Sequence, residues 1–149
     1  MIKQVETLEE ANECDKLLNK LILDEKQYDN TIDEKFKVNN YFANIFRDEE
    51  NLLLVKIIEN KVVAYIFAKK LNNNVSKGVG YLIDGLYVES ENRRQGIATD
   101  LINEITKICA MNNGEYIDIN VMYKNDLAKK LYKSLKFQEL RITLRKELN

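Results

Sequence analysis

The sequence predicts an α/β fold: a mixed β-sheet with helices packed on it. Three features carry that expectation. Val62-Val63-Ala64-Tyr65-Ile66-Phe67-Ala68 is continuously apolar, the mark of a strand buried on both faces. Tyr81 to Val88 is a second strand-like run. It feeds a helix whose apolar residues Ile97, Ala98, Leu101, Ile102, Ile105, Ile108 and Cys109 recur with the period of a helix. Tyr116 to Val121 then alternates, with Ile117, Ile119 and Val121 on one side. A strand, a crossover helix and a strand in that order form a right-handed βαβ unit, so those two strands are expected to be parallel.

The remaining elements follow in chain order. Ile2 to Val5 reads as a short edge strand. Thr7-Leu8-Glu9-Glu10 is a capping box, and Leu8, Ala11, Leu17, Leu18, Leu21 and Ile22 give the helix behind it an apolar stripe. Asp29-Asn30 is a loop. Phe36, Val38, Tyr41, Phe42, Ile45 and Phe46 suggest a second helix, and Arg47 to Asn51 a polar break. Leu52 to Ile58, the turn Glu59-Asn60-Lys61 and the Val62 to Ala68 strand form a hairpin. Asn72-Asn73-Asn74 is a loop. Gly85 interrupts the Val79 to Val88 strand, where a glycine marks a bulge or a close backbone approach. Asn112-Asn113-Gly114 stops the long helix. Lys124 to Leu135 is an amphipathic helix using Leu127, Ala128, Leu131, Tyr132 and Leu135, and Phe137 to Leu148 is expected as a last strand.

At 149 residues, with no repeat, linker or low-complexity tract, the chain is expected to be one domain, 1–149, with a sizeable core. The net charge of −1 provides no global field toward nucleic acid or membrane. The absence of histidine excludes Ser-His-Asp and Cys-His nucleophilic systems and histidine metal sites, so no metal is expected. Cys14 and Cys109 both fall in helical patterns and read as buried free thiols of a reducing compartment. The first residues lack a secretory apolar region, and no apolar run has membrane-spanning length. A soluble cytoplasmic domain is the expectation.

The junction from Val88 into the long helix breaks local rules. A helix N-terminus carries partial positive charge and favours carboxylates. Here Arg93 and Arg94 stand at its approach, and Gly96 sits where glycine costs about 1 kcal/mol relative to alanine inside a helix. A bound anion resolves the conflict. Free backbone N–H groups, the helix dipole and both guanidinium groups would converge on a phosphate, and Gly96 would let the backbone come close. No Gly-Lys-Ser/Thr follows, so this is not a P-loop; two glycines of a dinucleotide fingerprint are also absent.

Arg93-x-x-Gly96-x-Ala98 resembles the acyl-CoA-binding motif of the GNAT superfamily of N-acyltransferases, Gln/Arg-x-x-Gly-x-Gly/Ala. It follows a strand ending Leu86-Tyr87-Val88 and a short acidic turn, and it opens a long helix. Further on, Asn125-x-x-Ala128-x-x-Leu131-Tyr132-x-x-x-x-Phe137 is similar to the family's Asn-x-x-Ala-x-x-Leu-Tyr-x-x-x-Gly-Phe. Lys136 stands where the family usually has glycine, and Ala98 replaces the commoner second glycine. The resemblance implies a twisted mixed sheet, splayed between its central parallel strands, with helices on both faces. Pantetheine would lie in the gap beside Leu86, Tyr87 and Val88. The pyrophosphate would rest on Arg93, Arg94, Gln95, Gly96, Ile97 and Ala98, with Asn125 touching the cofactor. The implied activity is transfer of the acetyl group of acetyl-CoA, as cosubstrate, to a primary amine of a small molecule or peptide. A non-catalytic acyl-CoA-binding sensor or partner module is the alternative.

Such a reaction needs no covalent enzyme intermediate, which suits a chain without histidine. Three tasks remain. A fixed backbone donor must polarise the thioester carbonyl, and Val88 N–H is the candidate. Tyr132 is the general acid for the departing thiolate by similarity with the family. A base must take a proton from an amine with a solution pKa near 10; Asp84 ranks first, with Glu89 and Glu91 behind it. Simpler readings stand beside these: Tyr132 as a core tyrosine, Arg93 and Arg94 as solvated side chains, Asp84 as a partner of nearby backbone, and Asn125 as an N-cap. The resemblance implies that the acceptor would be set largely by the N-terminal helices and the loop between them, about Asp24 to Asp48, and by the final strands. Asp24, Glu25, Asp29, Asp33 and Glu34 make the loop region acidic, which suits a cationic amine as well as it suits a solvated loop. Family members commonly dimerise, so a homodimer is compatible with the resemblance, whereas a nucleic-acid partner is not expected.

Overall fold

A computed structural model describes residues 1–72 and 75–149. Its strands β1 (Ile2–Gln4), β2 (Asn51–Ile58), β3 (Lys61–Leu71), β4 (Val79–Val88) and β5 (Gly114–Ile119) form one sheet in sequence order. The first four are antiparallel neighbours, and β4 and β5 are parallel, as the βαβ pattern requires. The helices are α1 (Leu8–Glu25), α2 (Tyr41–Ile45), α3 (Ile97–Met111) and α4 (Asp126–Ser134). Of the expected loop at Asn72-Asn73-Asn74, Asn72 lies outside regular structure, and Asn73 and Asn74 lie outside the described residues.

Two cores sandwich the sheet. On one face Ala11, Cys14 and Leu17 of α1 and Phe42 of α2 bury Leu53, Val55, Tyr65, Phe67 and Tyr87. On the other, Ile97, Leu101, Ile102, Ile105 and Cys109 of α3 bury Leu54, Ala64, Ile66, Ile83 and Val88. Leu131 and Tyr132 of α4, and Leu135 at its C-cap, pack against the rim of that second core. Both cysteines are buried free thiols, and burial pushes the Cys109 thiol up to about 11. The β2–β3 turn has Glu59 and Asn60 both at positive φ, 49° and 63°, the conformation a two-residue hairpin demands. The capping box closes as expected: Thr7 Oγ1 accepts from Glu10 N–H at 3.2 Å, and the Glu10 carboxylate accepts from Thr7 N–H at 3.4 Å.

Three expectations need correction. The second helix spans Tyr41–Ile45 only, and Phe36 is 54 % exposed. The cause is two side chains of α1. Asn19 binds both Val38 N–H (2.8 Å) and Val38 C=O (3.2 Å), which holds that residue outside a helix. Asp15, buried, accepts from the N–H groups of Tyr41 and Phe42 and starts α2 there. Second, residues 137–149 form no strand. The segment passes β5 with Arg141 3.8 Å from Asp118, but no backbone ladder forms, and Leu140, Ile142 and Leu144 stay exposed. A strand exists only through a neighbour's N–H and C=O groups, so alternation alone did not suffice. Third, Leu8 and Leu127, assigned to apolar helix faces, are exposed at the first turns of α1 and α4. The stop expected at Asn112-Asn113-Gly114 is where α3 ends: its last residue is Met111, Asn113 takes the left-handed conformation at φ 62°, and Gly114 opens β5.

Candidate active site

The site begins at a bulge. Opposite β3, Phe67 faces Gly85 and Ala68 faces Ile83, so Asp84 is an extra residue on β4. It reverses which side chains face which core. Before it, Tyr81 and Ile83 face α3; after it, Leu86 and Val88 do so, and Tyr87 faces α1. The close approach expected at Gly85 is real: a Cβ there would stand 2.6 Å from the Tyr65 hydroxyl. The bulge also ends the parallel pairing. The last β4–β5 partners are Ile83 and Ile119, and β4 runs on to Val88 with no residue of β5 opposite. Glu89 N–H bonds Val63 C=O at 2.8 Å. Backbone groups alternate along an antiparallel ladder, so the Val88 N–H points away from β3 into that gap.

Beyond Val88 the chain makes a 3-10 turn, Ser90–Asn92, and reaches α3 through Arg94 at φ 62° and Gly96 at φ 79°. No side chain caps α3, and space is open around Gly96, with nothing within 4 Å of where its Cβ would lie. The first N–H groups of α3 are thus presented at a surface where an anion can approach. The two arginines differ. Arg93 Nε donates to Val88 C=O at 2.9 Å, its Nη2 lies 3.3 Å from Asp24, and its guanidinium stands 5.2 Å from the Tyr87 ring centroid. It braces the turn. Arg94 and Gln95 are exposed.

The end of α1 is fastened along this turn. Lys20 donates to Glu89 at 2.5 Å, and that hydrogen bond raises the lysine pKa; one helical turn later Asp24 meets Arg93. Glu91 pairs with Lys61 at 3.5 Å and Asp84 with Lys69 at 3.3 Å. These cations were not legible as partners in the sequence, because each comes from another element.

Tyr132, on α4, is partly buried beside Phe137 with ring centroids 6.0 Å apart. Burial, and then the charge of Glu25, push its pKa up to about 12, so it is a neutral O–H donor at ordinary pH. Asn125 caps α4, its Oδ1 accepting from Ala128 N–H at 3.2 Å. Lys136 takes φ 74°, a conformation that glycine adopts freely, at the position where the resemblance led us to expect one. Two residues gained weight only in three dimensions. Tyr65 reads as core in the sequence, yet its hydroxyl is buried with no hydrogen-bond partner among the described residues. Glu25 was one of several acids, yet its charge reaches both Tyr65 and Tyr132. Two surface hollows, of about 290 and 260 Å³, lie elsewhere and include no residue of the bulge, the Arg93 turn or α4.

Comparison with known proteins gives these arrangements a family context. The family model "Acetyltransferase (GNAT) family" matches residues 15–137. No curated protein matches the sequence. Among solved structures, a mutant of the BH1408 protein from Bacillus halodurans superposes with TM-score 0.88 at 21% identity, covering 100% of this chain and 99% of that one. A ribosomal-protein-alanine N-acetyltransferase from Brucella melitensis gives 0.74 at 18%, covering 99% and 98%. The aminoglycoside N-acetyltransferase AAC(6')-Iy, in complex with CoA, gives 0.75 at 14%, covering 100% of both chains. At these identities the structures share the fold.

Proposed function

The chain belongs to the GNAT family of acetyltransferases, and from that membership we propose that it moves the acetyl group of acetyl-CoA directly to a primary amine of a small molecule or peptide. The observation that carries this reading is the gap beyond Ile83, which opens beside the uncapped N-terminus of α3 at Gly96. The residues fit the cosubstrate. Open space at Gly96 and the N–H groups of Ile97 to Thr99, without a partner among the described residues before Asp100 N–H meets Gly96 C=O, suit a pyrophosphate, and Arg94 and Gln95 are exposed beside them. The free edge of Leu86, Tyr87 and Val88 suits an extended amide-bearing arm, as a missing strand would.

Acetyl-CoA supplies the activated acyl group as a thioester. The Val88 N–H is a preorganised donor for a carbonyl oxygen in the gap. Tyr132, held neutral by burial, has the proton that a departing thiolate needs. Asn125 places α4, and with it Tyr132, through its cap. Asp84, paired with Lys69 at the bulge, would face the acceptor. Neighbours named for acetylating aminoglycosides and ribosomal-protein alanine support a nitrogen acceptor.

Calorimetric titration with acetyl-CoA, followed by an amine screen read by free-thiol release and confirmed by mass, tests the proposal. Binding and acetylated product are expected. No binding at millimolar acetyl-CoA would overturn it; binding without product across the panel would make the protein an acyl-CoA sensor instead.

A further inference from the structure

We propose that Glu25, with the Tyr65 hydroxyl and Asp84, forms the seat of a cationic alkyl ammonium acceptor, and that Glu25 takes the proton that converts the ammonium to the attacking amine. This rests on the acetyltransferase reading and assigns its base.

The argument starts from charge pairing. The carboxylates around the end of α1 and the bulge each have a cation: Asp24 has Arg93, Asp29 has Arg145, Asp84 has Lys69, and Glu89 has Lys20. Glu25, the last residue of α1, makes no ion pair or side-chain hydrogen bond among the described residues, although it is partly buried. A carboxylate withdrawn from water without a partner costs free energy. Burial first, and then the charges of Asp29 and Asp84, accordingly raise the Glu25 pKa. Groups perturbed in this way cluster at functional sites.

A second, independent feature points to the same place. The Tyr65 hydroxyl is buried, lacks a partner among the described residues, and lies 2.6 Å from where a Cβ on Gly85 would stand. An unsatisfied buried hydroxyl costs free energy. It can accept one N–H of an ammonium or donate to a carboxylate. Glu25 and Asp84 are the nearby carboxylates whose charges act on it. Glu25 also acts on Tyr132. The end of α1 that carries it is fastened to the β4 turn by Lys20–Glu89 and Asp24–Arg93, and its charge acts on Tyr65 of the acceptor side and on the proposed acid of the acyl side.

Asp84 is the rival for the proton, but Lys69 holds it. Its carboxylate is already taken up by a cation, whereas that of Glu25 has none among the described residues. The proton balance closes. The ammonium gives one proton to the Glu25 carboxylate, which passes it to solvent. The neutral amine forms the C–N bond as the C–S bond breaks. Tyr132 gives its proton to the thiolate and recovers one from the acylated nitrogen.

The test compares wild type with Glu25→Gln and Glu25→Asp, using a linear aliphatic diamine as acceptor and CoA titration as the control. In Glu25→Gln we expect kcat/KM for the diamine to fall about 100-fold, with CoA affinity unchanged. Glu25→Asp should fall about 10-fold, keeping the charge but losing reach. The acid-side limb of the wild-type pH profile should vanish in Glu25→Gln. The groups facing Glu25 that would shape this limb are Asp29, Asp84 with Lys69, Tyr65 and Tyr132.

Stability gives a readout independent of activity. A carboxyl whose folded pKa is raised binds more protons folded than unfolded. Its contribution is thus favourable below the ordinary glutamate value and is lost as pH rises through the folded value. Glu25→Gln removes the penalty and should raise the unfolding midpoint at neutral pH by about 2–4 °C. A Glu25→Gln enzyme within threefold of wild type on the diamine overturns the proposal, whatever its midpoint. So does a Glu25→Asp enzyme as slow as Glu25→Gln with CoA affinity also lost. A wild type that binds CoA but acetylates no amine overturns the acetyltransferase reading first, and this one with it.

Discussion

Tyr65 and Gly85 share one space: a methyl group on Gly85 would stand 2.6 Å from the tyrosine oxygen. The ring is fully buried, edge-on to Phe42 at 5.5 Å between centroids, so it has no room to yield. Gly85→Ala is therefore expected to destabilise the fold by about 1–3 kcal/mol, the range for overpacking a core. Tyr65→Phe should do the opposite. It removes a buried hydroxyl without a partner, so stability should rise by about 1 kcal/mol, while kcat/KM for a cationic amine falls. Urea unfolding of both variants checks the signs, and a destabilised Tyr65→Phe would show that the hydroxyl is satisfied in solution.

Gly96 separates backbone strain from occlusion. At φ 79° any side chain is strained, but the surrounding space is empty. Gly96→Asn, which tolerates this conformation better than most residues, is expected to fold with a loss of no more than about 1 kcal/mol. It should still lower acetyl-CoA affinity at least about tenfold, because the new side chain fills the approach to the α3 amides. Circular dichroism with calorimetry separates the two effects. Unchanged affinity would move the phosphates elsewhere.

Tyr132→Phe is expected to lower kcat about 100-fold or more, the scale of one acid–base contribution, with acetyl-CoA affinity little changed. Its raised pKa sets the sign of a further check. The acid must be protonated to act, and burial keeps it so up to about 12. The wild-type rate should therefore show no loss from tyrosine ionisation between pH 8 and the alkaline limit of the fold. A tyrosine-dependent fall near pH 10 would return Tyr132 to a packing role.

Lys136 occupies φ 74°, where a side chain costs roughly 1–2 kcal/mol and glycine little. Part of that gain is offset by the freedom glycine adds to the unfolded chain. Lys136→Gly is expected to stabilise by about 0.5–1 kcal/mol, read as a higher urea midpoint with an unchanged m-value. Its side chain is exposed, and it takes no part in the catalytic scheme, so turnover should stay constant.

Local patterns predicted a good deal. The capping box at Thr7, the buried strand at Val62 to Ala68, the βαβ crossover and the bulge near Gly85 each depend on residues close together in the chain, and each was legible. Phe36 to Asn40 was not, because Asn19 and Asp15, a helix away, decide where α2 starts. The last segment was not, because a strand needs a partner that its own alternation cannot supply.

Sequence by itself determined the family, through a glycine and two arginines wrongly placed for a helix dipole and a tyrosine spaced from Asn125. It did so because an anion site at a helix start is built from adjacent backbone. Which charges remain unpaired was decided by the tertiary structure alone. Lys20, Lys69 and Arg145 reach carboxylates of other elements and leave Glu25 without an ion pair among the described residues. Charge compensation acts through space over a few ångströms, and only the folded chain sets those distances.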